Sequence, residues 1–122
     1  MIIHSSISEA AAALAAYIFT TTFPNETIQT KAREAAVMRS PVDLVVNGVE
    51  ALYAALKADE LDANGVAALY SGANQIALSS FHGKGDRAAQ IMVVCRFKAG
   101  EIADEPTWPE VESGFAPGEV SE

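Results

Sequence analysis

A chain of 122 residues, half of them hydrophobic, makes one domain with room for an appendage, and a domain of that size hides about two-thirds of its unfolded surface. General disorder is excluded by the hydrophobic content, and a disulfide framework by the single cysteine, Cys95. The net charge of −8 is unevenly placed: residues 99–122 hold seven acids and no base, which leaves 1–98 nearly neutral at −1.

The first predicted helix runs from Ser6 to Thr20, with Ile7, Ala11, Leu14 and Ile18 at helical spacing. Its run of alanines makes a smooth face that another helix can approach closely. Thr20, Thr21 and Thr22 are β-branched and continue a helix poorly, and Pro24 punctuates the chain. A second helix is expected from Asn25, as N-cap, to Arg39, with Ile28, Ala32, Ala35 and Ala36 inward and Val37 and Met38 adding to them.

The third has the clearest start. Ser40 caps, Pro41 takes the first helical position and Asp43 the third. Val42, Val45, Val49, Leu52, Tyr53 and Leu56 then fall on one stripe, while Asn47, Glu50 and Lys57 lie off it. It should end near Ala58.

The fourth, from Asp62 to Ser80, is capped by Asp62 or Asn64 and buries Val66, Leu69, Tyr70, Ala73, Ile76 and Ala77. Gly72 in its middle costs about 1 kcal/mol against Ala, so it marks either a close helix crossing or a tolerated glycine. The fifth, Asp86 to Ala99, has Asp86 as N-cap and Gly100 as stop. Its run Ile91 to Cys95 also reads as a buried strand, but no partner strand is visible, which favours a helix.

The expected fold is therefore all-α: a compact bundle of four to five helices over residues 1–99. An acidic tail with three prolines, 100–122, follows and is expected to be flexible. Close-packing Ala-rich helices make homo-oligomers plausible. The longest apolar stretch, Ala10 to Phe19, is about half of what a bilayer requires, and no secretory signal opens the chain, so a cytoplasmic protein without membrane attachment is expected.

Four features invite chemistry. The loop His82-Gly83-Lys84-Gly85-Asp86-Arg87 combines backbone freedom, positive charge and a helix start, which suits a phosphate or nucleotide, with Arg96 or other arginines assisting. It lacks the spacing and the Ser or Thr of a Walker loop. Residues 60–65 imitate half of a calcium loop, but Ser71 stands where a bidentate Glu is needed. In the tail, Trp108, Val111 and Phe115 are apolar anchors among acids, as a docking motif requires, or else tuck onto their own bundle. Cys95 sits in an apolar stripe and reads as an inert core thiol; His4 and His82 have no ligand spacing for zinc.

No catalytic set, metal or cofactor is expected, and the charge disfavours direct nucleic-acid binding. The leading expectation is a small non-enzymatic protein, an inhibitor or adaptor that occupies a partner protein, of the kind mobile elements or phages use. The alternative is a protein that sequesters or senses a small anion such as a nucleotide through residues 82–87.

Overall fold

The computed structural model describes residues 6–79 and 83–106, and among them all regular structure is helical. Five helices follow in order: α1 Ile7–Phe19, α2 Glu26–Ala36, α3 Pro41–Lys57, α4 Ala63–Ser79 and α5 Gly85–Lys98. Ser80, the expected end of α4, lies outside the described residues.

The helix starts follow local side-chain chemistry. Ser6 Oγ accepts from Glu9 N, Asn25 Oδ1 from Thr27 N and Ile28 N, and Ser40 Oγ from Asp43 N, each satisfying donors that the first turn leaves open. Asp62, not Asn64, caps α4: its Oδ1 accepts from Gly65 N at 2.9 Å. At α5 the expected cap is displaced. The cap lies two residues earlier, at Lys84, which makes no side-chain bond, and Asp86 falls in the first turn. There its carboxylate still faces the positive end of the helix dipole.

Two helix ends share one device. Gly100 takes φ +77°, its N–H reaches Phe97 O, and Glu101 N–H reaches Arg96 O, closing α5 in a Schellman turn. The same bonds, Asp59 N to Leu56 O and Glu60 N to Ala55 O, close α3. Here the left-handed residue is Asp59 at φ +59°, a conformation that a short polar side chain tolerates better than most.

The core follows the predicted stripes. Leu14, Ile18, Val45, Val49, Leu52, Leu69 and Ile91 are fully buried. In α2, Ile28, Ala32, Ala35 and Ala36 point inward as expected; Val37 does not, being 68% exposed at the C-cap, and Met38 packs against the core only in part. Val42 of α3 is half-buried rather than central.

Gly72 marks a close crossing. A Cβ there would stand 2.8 Å from Val49 Cγ2 and 2.9 Å from Leu14 Cδ1. Gly65 likewise faces the Tyr17 ring and Gly72 faces Leu14, so α4 passes α1 in the opposite direction. The small residues let α1, α3 and α4 meet around Leu14, while α2 lies mainly on α3 and α5 mainly on α4. None of the helices described is long and apolar enough to cross a membrane.

Past Gly100 the chain takes no helix or strand as far as Pro106. Ile102 and Pro106 are half-buried and line a shallow hollow with Gln90 and Val93 of α5. The first tail residues thus lie against the bundle.

Candidate functional site

A groove of about 550 Å³ opens between α2 and α3, closed at one end by Arg87 from the first turn of α5. That volume is within the range of small-molecule and peptide pockets. Its floor is Ala35, Ala51, Ala54 and Tyr53; its walls carry Lys31, Glu34, Met38, Asn47, Glu50 and Lys57.

Sequence spacing explains the arrangement. Glu50, Tyr53 and Lys57 are three and four residues apart on α3 and share one face. Lys31, Glu34, Ala35 and Met38 repeat the same spacing on α2, and the two faces meet where the helices pack. Arg87 arrives from the first turn of α5.

At that end Arg87 Nη2 donates to Glu50 Oε1 at 2.8 Å. The Arg87 side chain is 10% exposed and that of Glu50 37%, so the bond is partly shielded and stronger than a surface pair. The Arg87 guanidinium also stands 5.2 Å from the centroid of the Tyr53 ring, and Lys57 Nζ stands 5.6 Å from it. Both are within the distance at which a cation is attracted to a ring face. Asn47 donates to Asp43 O at 2.8 Å and approaches the Met38 sulfur. The groove is therefore bipolar: Lys31, Lys57 and Arg87 alternate with Glu34 and Glu50 over an aliphatic and aromatic base.

This placement reorganises the expected anion site. Arg87 is turned inward onto Glu50 and Tyr53, Lys84 stays half-buried at the α5 cap, and Arg96 sits at the far end of α5, 3.8 Å from Glu101. These cations are not gathered into one cluster. His82 of that loop lies outside the described residues, as do Trp108, Val111 and Phe115 of the tail.

Two acids of the α3–α4 turn, Asp62 and Asp59, have structural partners. Asp62 Oδ1 takes the Tyr17 hydroxyl at 3.0 Å besides capping α4. Burial first, then that hydrogen bond, pushes the Tyr17 phenol above its ordinary value. Asp59 stands 3.6 Å from Lys98 Nζ. Among the described residues no group of three or more His, Cys, Asp or Glu could hold a metal ion.

Cys95 is fully buried, and burial pushes its thiol up to about 12, which keeps it neutral and unreactive in the folded chain.

The groove residues Lys31, Glu34, Met38, Asn47, Glu50, Tyr53 and Lys57 are not marked as a site by any motif. The available signal is that Asn47, Glu50 and Lys57 leave the apolar stripe while Tyr53 stays on it. That puts a buried aromatic ring, 3% exposed, beneath the charged side chains of the groove. Comparison with known protein families, with curated proteins and with solved structures finds no match.

Proposed function

We propose that this chain is a small binding protein that acts by occupying a partner protein, as an inhibitor or adaptor, and that the α2–α3 groove is its working surface. The observation that carries this reading is the groove's alternation of charge over a Tyr53 and alanine base. A peptide segment offers both signs of charge and apolar side chains together, whereas a lone phosphate would meet Glu34 and Glu50 as repulsive neighbours. Helices and extended segments dock in such grooves through apolar anchors, with rim charges fixing register.

The test is affinity capture from the source cells with the full chain and with a Lys31→Glu, Lys57→Glu variant. Both lysines are exposed, so the fold is expected to survive. A protein enriched by the native chain and lost with the variant supports the reading. Equal capture by both removes the groove from it.

A second reading is favoured by the convergence of Lys31, Lys57 and Arg87 on one groove beside an aromatic ring: a small anionic ligand with an aromatic part, such as a nucleotide. Lys84 would then lie outside the contact. A thermal-shift series with nucleotides separates the two, since ligand at about a hundred times its dissociation constant adds about 2.7 kcal/mol.

A further inference from the structure

Helix α1 carries one charged residue, Glu9, in its 13 residues. A helix so apolar is normally covered on every side. Three sides of α1 are covered, by α2, α3 and α4. Among the described residues none covers the fourth: Ser8, Glu9, Ala12, Ala16, Phe19 and Thr20 are all exposed, and Phe19 is 49% exposed despite its size.

The spacing of this open face is specific. Glu9, Ala12, Ala16 and Phe19 follow one another at three, four and three residues, the a and d repeat with which one helix seats along another. The face is also its own complement under reversal. A two-fold axis through the middle of α1, at Leu14, sets Ala12 against Ala16 of the second copy, Ser8 against Thr20 and Glu9 against Phe19. Small residues then meet at the crossing, where backbones must approach most closely. The Arg33 guanidinium stands 5.8 Å from the Phe19 ring centroid, so the carboxylate of Glu9 from the second copy arrives beside a cation.

We infer that the open face of α1 is a self-association surface, and that its occupant is α1 of a second copy of this chain in antiparallel register. Self-complementarity of this kind is what an isologous two-fold contact requires. The charges select the orientation: a parallel pair would set Glu9 against Glu9 and Phe19–Arg33 against Phe19–Arg33. None of the groove's lining residues belongs to this face, so a dimer leaves two grooves open.

The test uses the full chain. Sedimentation at about 100 µM should show a dimer that dissociates on dilution, and Ala16→Glu should raise its dissociation constant by at least about tenfold. Register is read by disulfides in the folded protein, Cys95 being buried. A mixture of Ala12→Cys chains with Ala16→Cys chains should cross-link. Neither variant alone should, because like positions are offset by about four residues along the pair and their Cα atoms exceed the roughly 7 Å limit for a bridge. Exchange of charge supplies a further check: Glu9→Arg should weaken the dimer and Glu9→Arg with Arg33→Glu should restore it. A monomer at this concentration overturns the inference, whatever else covers α1. So does a dimer indifferent to Ala16→Glu, or cross-linking of a single variant as efficient as that of the mixture.

Discussion

At the scale of single residues, two glycines separate helix propensity from packing. Both Gly48 and Gly72 lie inside helices, where Ala is preferred by about 1 kcal/mol. A methyl at Gly48 meets Leu14 Cδ1 at 3.6 Å, an ordinary contact, so Gly48→Ala should stabilise the protein by about 0.5–1 kcal/mol. At Gly72 the methyl meets Val49 and Leu14 at under 3 Å, and both neighbours are fully buried, so the packing around them must shift. Overpacking of that kind costs about 1–3 kcal/mol, so Gly72→Ala should destabilise on balance, as measured by urea unfolding. Cys95 supplies a prediction in pH. Its thiol is held up at about 12 against an ordinary 9.0, so the unfolded chain releases the proton first. The stabilisation is present below pH about 9 and is lost as pH rises from there toward 12. Urea midpoints should fall more steeply over that window for the native chain than for Cys95→Ala, and parallel slopes would contradict the assignment. The sequence offers Gly72 only as an alternative, a close crossing or a tolerated glycine, and Cys95 as an inert core thiol. Whether Gly72 is a crossing depends on Leu14 and Val49, which lie 58 and 23 positions away in the chain and offer no local signal.

At the scale of elements, helix existence was legible because caps and stripes are local. Ser6, Asn25, Ser40 and Asp62 each bond a first-turn amide, and Gly100 ends α5 by the αL turn its type allows. The doubtful stretch Ile91 to Cys95 is helical: Ile91, Val94 and Cys95 are buried and Met92 and Val93 half-buried, a helical rather than alternating pattern. The pairing of elements was not legible. Arg87 reads as a loop cation ready for an anion until α3 brings Glu50 to it across 37 positions. That bond fastens the start of α5 to α3, while most of α5 packs on α4. Glu50→Ala leaves a buried guanidinium without its carboxylate and should cost about 1–2 kcal/mol. Amide exchange should then accelerate in the first turns of α5 more than in α1. A uniform change across all helices would show that the pair does not anchor α5.

At the scale of the whole molecule, charge and shape separate into regions. Residues 1–98 are nearly neutral, and three of their acids, Glu50, Asp59 and Asp62, are engaged locally by Arg87, Lys98 and the α4 start. The groove between α2 and α3 offers both signs of charge, and the open side of α1 offers almost none. The proposed self-association and the proposed partner binding thus use separate surfaces of one small bundle. The partner proposed for the groove is a protein seated between α2 and α3. The most direct measurement places a photoreactive benzophenone side chain at Asn47, an exposed residue of the groove wall, and irradiates the source cells. A protein docked in the groove should give a discrete adduct joining this chain to a different protein, absent when the same side chain replaces exposed Asn64 at the start of α4. Adducts of equal yield from both positions, or none from Asn47, would contradict it.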